Sequence, residues 1–299
     1  MPCLALHGGL EFLVGALMMI SCVAASSSLR GAQRNTTHTR IVHFPIGEAY
    51  AVIDVRTGRN SYGGAFWEMV ETERWEPQTF LAFNTVITHL TTVIDFGAWI
   101  GPTSLYAAHF AKQVIALEPD IVAYAELHRN VQLNSDRLKN VHLYHRCIST
   151  RREAVTMNRG PNAPGDSMST VNRNSGANSN GIPVQCDTLD KLSAEFSLQG
   201  PLFVKVDTEG MEVELVPAWR TFIQKTSPTM YLSMHQQLRK YTEEDKRKVI
   251  DVLRLFPYAL EVKDCIRCPD TFTAISFNST NSPALCIKCD YLLSFEKFF

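Results

Sequence analysis

The chain has almost no excess of charge of either sign. Its 29 lysine and arginine residues are balanced by 30 aspartate and glutamate residues, which gives a formal net charge of −1 at pH 7. Proteins that bind nucleic acid or anionic membrane surfaces electrostatically carry a clear basic excess. The composition therefore indicates no nucleic-acid partner. The 45% of hydrophobic residues is enough for one substantial core in 299 residues.

An unambiguous membrane span is also missing. Residues 12–28 are almost entirely apolar or small, but a span needs about 17–25 such residues. Basic residues follow this run rather than precede it, and residues 23–25 fit a signal-peptide cleavage site. We therefore predict a signal peptide or a signal anchor in the membrane, and a secretory-pathway or membrane location. An organellar transit segment is the alternative, since residues 21–40 are rich in Ser, Thr and Arg and contain no acid.

The sequence lacks the middle glycine of the dinucleotide-binding fingerprint G-x-G-x-x-G, which lets the backbone approach a pyrophosphate. Trp99 occupies that position. An apolar run instead ends in D-x-G-x-x-x-G, from Asp95 through Gly97 to Gly101, and the next apolar run ends at Glu118. A carboxylate there accepts hydrogen bonds from a ribose diol. The pattern predicts a pocket for an adenosine-containing cofactor, and Trp99 favours S-adenosylmethionine over NAD.

Strand-like and helix-like segments alternate over residues 92–146, and a further buried strand is predicted at 202–207. Such alternation is typical of an α/β fold with a doubly wound, mostly parallel sheet. Right-handed crossovers place the carboxyl ends of parallel strands on one edge of the sheet. We therefore expect Asp95, Glu118 and Asp207 to converge on one site.

Composition also divides the chain into segments. Residues 158–181 are rich in Asn, Ser, Gly and Pro and predict a flexible loop, either a disordered insertion or a lid over the substrate. Apolar runs at 258–262 and 291–295 are expected to pair as a hairpin at the sheet edge. The predicted division is a targeting segment and linker at 1–40, an N-terminal lead-in at 41–90, a core at 91–262 and a C-terminal hairpin at 263–299.

Four of the eight cysteines form two C-x-x-C motifs, at Cys265, Cys268, Cys286 and Cys289. The spacing between the motifs lies within the range for a structural zinc site, in which four thiolates bind the metal. In an oxidising compartment the same residues would instead form two disulfides across the hairpin. Both alternatives stay open. Cys147 and Cys186 are interpreted as buried strand thiols without a role.

A second acidic motif, K-x-D-x-E-G-x-E, extends from Lys205 to Glu212, and T-L-D stands upstream at residues 188–190. With the glycine-containing turn, this order resembles the FkbM family of S-adenosylmethionine-dependent methyltransferases over roughly residues 80–260. The resemblance implies the class I methyltransferase fold, a Rossmann-like sheet of seven strands whose last strand is antiparallel. It also implies S-adenosylmethionine as the cofactor.

The resemblance further implies roles for individual residues. The turn from Gly97 to Gly101 would hold the methionine tail and Glu118 the ribose, with Asp95 and Asp207 also on the cofactor side. The acceptor side would be lined by three residues, Asp207, Glu209 and His235. We expect Asp207 or His235 to act as the base.

One position departs from the family pattern. The fifth strand often carries an acid where this chain has Ser233. This departure leaves open a catalytically inactive binding protein with the methyltransferase fold.

The implied reaction is O-methylation. The sequence has no Asn/Asp-Pro-Pro-aromatic motif, which would indicate amino-group methylation of nucleobases, after the fourth strand. The expected acceptor is therefore a sugar, a glycan or another hydroxylated metabolite. A nicotinamide-dependent oxidoreductase is the less favoured alternative.

Overall fold

The computed structural model describes residues 38–55, 63–158, 165–172, 181–235, 240–263, 270–278, 285–286 and 288–298. All of them except His38 belong to one compact unit, from Thr39 to Phe299. The predicted targeting segment and almost all of its linker lie outside the described residues. Within the described ranges, no helix combines the length and the apolar character needed to cross a membrane.

The described residues contain fourteen strands and eight helices. The strands are β1 (Thr39–His43), β2 (Tyr50–Asp54), β3 (Thr92–Phe96), β4 (Gln113–Leu117), β5 (Val141–Tyr144), β6 (Cys147–Ile148), β7 (Glu153–Asn158), β8 (Thr170–Asn172), β9 (Ile182–Asp187), β10 (Leu202–Val206), β11 (Thr229–Ser233), β12 (Tyr258–Val262), β13 (Phe272–Ile275) and β14 (Asp290–Ser294). The helices are α1 (Gly64–Glu71), α2 (Pro77–Val86), α3 (Pro102–Ala108), α4 (Ile121–Leu133), α5 (Leu189–Glu195), α6 (Glu212–Ala218), α7 (Arg220–Thr226) and α8 (Glu243–Leu253).

The main sheet has eight strands in the order β5-β4-β3-β10-β11-β14-β12-β13. The first five strands are parallel, and β14 lies antiparallel between β11 and β12. The predicted α/β class, with an antiparallel last strand, is confirmed. The sheet has eight strands rather than seven because β13 pairs with the outer side of β12. The predicted pairing of β12 with β14 forms, but inside the sheet rather than at its edge.

The two central strands, β3 and β10, are buried at every position. Near-continuous burial is expected of parallel strands whose two faces are both covered by other elements. Ile94 and Phe96 face one hydrophobic core, whereas Val93 faces the other. Asp95 on β3 and Lys205 on β10 are the charged exceptions, and they lie opposite each other in the register.

The lead-in region forms a hairpin of β1 and β2 followed by α1 and α2. Its aromatic side chains, among them Phe80 and Phe83, pack into the same core as Phe203 of β10. The turn between the helices holds Trp75 and Glu76, which border the cavity described below. The lead-in therefore contributes both to the core and to the wall of that cavity.

A second sheet corrects the prediction for residues 158–181. Its order is β6-β9-β7-β8, with Asn158 as the last residue of β7 and residues 170–172 as strand β8. Three residues are too few to show the alternation that marks a strand in a sequence, so β8 had no signal of its own.

Four cysteines of the described residues form disulfides. Cys147 and Cys186, interpreted above as thiols without a role, are bonded across β6 and β9. Cys286 is bonded to Cys289 within one C-x-x-C motif rather than across the hairpin. Cys265 and Cys268 lie outside the described residues. The disulfide between Cys286 and Cys289 takes up two of the four thiolates that a zinc site would need, so zinc binding requires this bond to be reduced. The zinc site and the secretory-pathway location stay predictions.

Candidate functional site

The carboxyl ends of β3, β4, β10 and β11 border a cavity that opens to solvent. Five of the predicted site residues line it, namely Gly97, Glu118, Asp207, Glu209 and His235. They come from four separate segments of the chain, which the parallel topology brings to one edge.

Gly97 occupies a position that tolerates no side chain. Its φ is +78°, in the region that glycine enters without steric cost. A Cβ atom there would lie 1.9 Å from the carbonyl oxygen of Asp207. The turn after β3 and the end of β10 therefore meet backbone to backbone. Gly101 precedes α3 and has a φ of +100°. A Cβ atom on Gly101 would lie 2.7 Å from the side chain of Leu127. Neither Gly101 nor Leu127 lines the cavity.

Asp95 lies beneath this turn and is not part of the cavity lining. Its Oδ2 accepts hydrogen bonds from Thr103 and Ser104 at the start of α3, and its Oδ1 is 3.2 Å from Lys205 Nζ. Asp95 is fully buried. Asp95 therefore supports the turn from below and does not itself face the predicted cofactor pocket.

Lys205 connects the two ends of the site. Its ammonium donates to the carbonyl of Gly97 at 3.0 Å and lies 2.9 Å from Asp207 Oδ2. Burial opposes the charge of Lys205, but Asp207 and Asp95 outweigh it and raise its pKa. Lys205 therefore stays charged, and it fixes both the glycine turn and one oxygen of Asp207.

Glu118 closes the turn from the other side. Its two carboxylate oxygens accept hydrogen bonds from the backbone N–H groups of Trp99 at 2.9 Å and of Asp120 at 2.7 Å. Burial raises the pKa of Glu118 to about 8. Each carboxylate oxygen can accept a second hydrogen bond, so capacity for a ribose diol remains. The predicted adenosine-containing cofactor fits this wall of the cavity.

The Trp99 backbone does not suit a pyrophosphate. Its N–H is directed to Glu118, and its indole Nε1 donates to the carbonyl of Gly165 at 2.8 Å. The indole ring borders the cavity and packs edge-on against Phe66. Asp166 and Ser169 follow Gly165 and also line the cavity. Part of the predicted loop thus covers the site.

Asp207, Glu209 and His235 form a cluster on the opposite side. His235 Nε2 lies 3.6 Å from Asp207 Oδ1 and 3.9 Å from Glu209 Oε2. Burial disfavours the ionised form of Asp207, but Lys205 and His235 outweigh it and lower its pKa. Burial and Asp207 raise the pKa of Glu209 to about 8. Burial opposes the charge of His235, but the surrounding carboxylates raise its pKa to about 10. The surrounding carboxylates therefore favour the protonated form of His235 in the ligand-free protein.

Glu212, the last acid of the sequence motif, organises the loop that carries this cluster. Its Oε1 accepts a hydrogen bond from the backbone N–H of Thr208 at 2.9 Å. Its Oε2 accepts hydrogen bonds from the N–H of Gly210 at 3.0 Å and from the hydroxyl of Tyr241 at 2.7 Å. Its Oε1 also lies 3.6 Å from His235 Nδ1. The motif therefore builds a turn in which Glu209 takes a positive φ of 54°.

Two further acids were missed by the sequence analysis: Glu76 in the cavity lining and Asp290, which lines a neighbouring pocket instead. Asp290 on β14 lies opposite Ser233 in the register and accepts its hydroxyl hydrogen bond at 2.5 Å. The carboxylate that the family pattern expects on β11 is thus present on the neighbouring strand. Glu76 lines the cavity, and burial together with Asp207 and Asp290 raises its pKa to about 8. Neither residue belongs to a sequence motif.

A family model described as a methyltransferase FkbM domain matches residues 95–260, which is more than half of the chain. The sequence matches no curated protein.

Solved structures of three similar proteins have low identity to this chain. An FkbM methyltransferase from Methylobacillus flagellatus KT has 14% identity and a TM-score of 0.43, over 80% of this chain and 56% of that protein. This chain thus spans little more than half of that protein's length. A putative methyltransferase from Streptococcus mutans in complex with SAH has 11% identity and a TM-score of 0.37, over 73% of this chain and 94% of the other. Trm5b from Pyrococcus abyssi has 11% identity and a TM-score of 0.37, over 87% and 57%.

Proposed function

The chain belongs to the FkbM methyltransferase family, and from this we propose that it transfers a methyl group from S-adenosylmethionine to a hydroxyl group of a sugar, a glycan or another hydroxylated metabolite. The observation that carries the proposal is the division of the cavity. The glycine turn and Glu118 form one wall, and a cluster of acids with His235 forms the opposite wall. A cofactor on the first wall would present its methyl group toward the second.

S-adenosylmethionine supplies a methyl carbon that is already electrophilic, so alignment of the acceptor oxygen is the main task of the protein. Glu118 would accept the ribose hydroxyls, and the turn at Gly97 would hold the amino-acid end. Asp207 is the proposed acceptor of the hydroxyl proton. Its Oδ1 is buried in the cavity wall and has no hydrogen bond to a described residue, while Lys205 holds its Oδ2.

The chemistry of the second wall supports this acceptor class. Carboxyl groups accept hydrogen bonds in both their ionised and their protonated forms, so Glu76, Asp207 and Glu209 suit an acceptor with several hydroxyl donors. Trp75 adds an aromatic side chain to the same cavity. A sugar, with hydroxyl groups around an apolar face, matches this combination better than a uniformly apolar compound does.

The alternatives have less support. A nicotinamide-dependent oxidoreductase would use backbone N–H groups of the turn to bind a pyrophosphate, yet the Trp99 N–H is bonded to Glu118. An inactive protein was left open because Ser233 stands where the family often has an acid, and the carboxylate of Asp290 on the neighbouring strand is hydrogen-bonded to that serine. We therefore propose an active methyltransferase.

Calorimetric titration tests the cofactor. We expect micromolar binding of S-adenosylmethionine or S-adenosylhomocysteine and no binding of NAD. Glu118→Gln should weaken binding about 10- to 100-fold, because an amide NH₂ group cannot accept the hydrogen bond of a ribose hydroxyl and leaves that hydroxyl unsatisfied in the complex, at a cost of about 1–3 kcal/mol. The exposed Glu195→Gln is the matched control. Binding of NAD alone would reject the proposal, and an unchanged affinity of Glu118→Gln would reject the ribose contact.

Exchange of Asp207 tests the acceptor side. Asp207→Asn should lower turnover about 10²- to 10⁴-fold, the usual contribution of a group that accepts the proton, and change the affinity for S-adenosylhomocysteine far less. Transfer of a labelled methyl group to a panel of sugars and glycans measures turnover. Asp190→Asn, at an exposed position of α5, is the control. Equal turnover of Asp207→Asn and wild type would remove Asp207 from the mechanism.

A further inference from the structure

Three side chains of the acceptor wall present metal-ligating atoms to one point. One carboxylate oxygen of Asp207, one of Glu209 and one ring nitrogen of His235 all lie within 4.8 Å of one another. Asp207 Oδ1 and Glu209 Oε2 are buried, and neither has a hydrogen bond to a described residue. Buried polar atoms are nearly always satisfied, so this pair indicates that a group belongs between them.

The spacing suits a metal ion. Ligand atoms about 2.0–2.2 Å from one ion lie about 3.0–3.5 Å from each other. His235 Nε2 is 3.6 Å from Asp207 Oδ1 and 3.9 Å from Glu209 Oε2. The carboxylate oxygens of Asp207 and Glu209 lie within 4.8 Å of each other. Side-chain movements of up to about 2 Å would therefore bring all three ligand atoms to the spacing of a metal site.

Glu212 occupies the position of an outer partner of the histidine. Metal-binding histidines usually direct their second ring nitrogen to a carboxylate or a carbonyl, which fixes the ring and its tautomer. His235 Nδ1 faces Glu212 Oε1 at 3.6 Å, and this leaves Nε2 for the cavity. Hydrogen bonds from Thr208, Gly210 and Tyr241 in turn hold Glu212.

The charges around the cluster favour a cation. Glu212 on α6, Asp290 on β14 and Glu76 before α2 surround it, and Lys205 is the lysine in contact with Asp207. With Asp207 and Glu209 added, the carboxyl groups outnumber the basic groups. A carboxyl group that burial keeps protonated releases its proton when it binds a metal ion.

We propose that Asp207, Glu209 and His235 bind a divalent cation that holds the hydroxyl oxygen of the acceptor, an inference that rests on the proposed function. One imidazole and two carboxylates suit Mn²⁺, Fe²⁺ or a similar first-row ion. A cation lowers the pKa of an oxygen bound to it. The acceptor O–H gives its proton to water, the C–O bond forms as the C–S bond of the sulfonium breaks, and S-adenosylhomocysteine leaves with the electron pair. In this arrangement Asp207 is a metal ligand in place of the proton acceptor proposed above. Asp207→Asn should still lower turnover by the factor given there.

Binding of Mn²⁺ to the metal-stripped protein tests the proposal directly. We expect one Mn²⁺ per chain, measured by electron paramagnetic resonance, and an affinity at least 10-fold lower in both Glu209→Gln and His235→Gln. His145→Gln, at an exposed histidine outside the cavity lining, should bind Mn²⁺ as the wild type does. Thermal unfolding of each variant shows whether it is folded, and either of the two cluster variants alone suffices for the test.

Two ligands separate this proposal from the proposed function. Glu118→Gln should lose affinity for S-adenosylhomocysteine and keep its affinity for Mn²⁺, whereas His235→Gln should show the reverse. No Mn²⁺ binding, or binding that is equal in wild type, Glu209→Gln and His235→Gln and therefore reflects an adventitious ion only, would overturn the metal site. Intact binding of S-adenosylhomocysteine in that case would leave the proposed function standing. Loss of cofactor binding in the wild type would instead reject the proposed function.

Discussion

Replacement of Lys205 by methionine should destabilise the protein by about 3–5 kcal/mol, the usual cost of removing one partner from a buried ion pair. Lys205 is 2% exposed and lies between Asp95 and Asp207. Methionine fills a similar volume but leaves Asp95 without its buried counter-charge. It also removes the hydrogen bond to the carbonyl of Gly97. The variant should therefore lose both stability and the shape of the glycine turn.

Urea unfolding of wild type and variant measures this cost. Lys191→Met is the matched control, because Lys191 pairs with Asp187 at 2.7 Å but keeps 41% of its side chain exposed. An exposed pair contributes about 0–1 kcal/mol, so the control should change the free energy of unfolding by no more than that. If Lys205→Met unfolds within 1 kcal/mol of the wild type, the buried ion pair is not a support of the site.

Much of this site could be predicted from local sequence because its central parts follow strand ends. The parallel strands β3, β4 and β10 are short apolar runs, and right-handed crossovers then place Glu118 and Asp207 on one edge. The motif after β10 likewise indicated Glu209. Asp95 shows the limit of such reasoning. It precedes the last residue of β3, and its side chain points beneath the turn to Lys205, a pairing that only the register of β3 with β10 determines.

The residues that were missed depend on contacts between distant parts of the chain. Asp290 reaches Ser233 because β14 inserts between β11 and β12, and antiparallel register across 57 residues leaves no local pattern in the sequence. Glu76 lies in the turn before α2 with a positive φ of 40°, so no periodicity assigns its direction. Strands β8 and β13, of three and four residues, were missed for the same lack of a local signal.

Exchange of Gly97 for alanine should abolish cofactor binding and destabilise the protein by several kcal/mol. A positive φ costs a residue with a Cβ atom about 1–2 kcal/mol. At Gly97 the Cβ atom would also lie 1.9 Å from the backbone carbonyl oxygen of Asp207, which no side-chain rotation can relieve. The turn and the end of β10 must therefore separate. This movement displaces Asp207 and the backbone N–H of Trp99, which donates a hydrogen bond to Glu118.

Gly200→Ala separates the two causes. Gly200 has a φ of +83°, close to the +78° of Gly97, but a Cβ atom on it would meet nothing within 4 Å. Gly200→Ala should therefore lower the free energy of unfolding only by the conformational penalty of the positive φ. It should leave the affinity for S-adenosylhomocysteine unchanged. Gly97→Ala should lower that affinity at least 100-fold, and its unfolding free energy should fall well below that of Gly200→Ala. Equal effects of the two exchanges, measured by calorimetry and urea unfolding, would mean that φ alone explains Gly97 and that the approach of the turn to Asp207 is not required for the site.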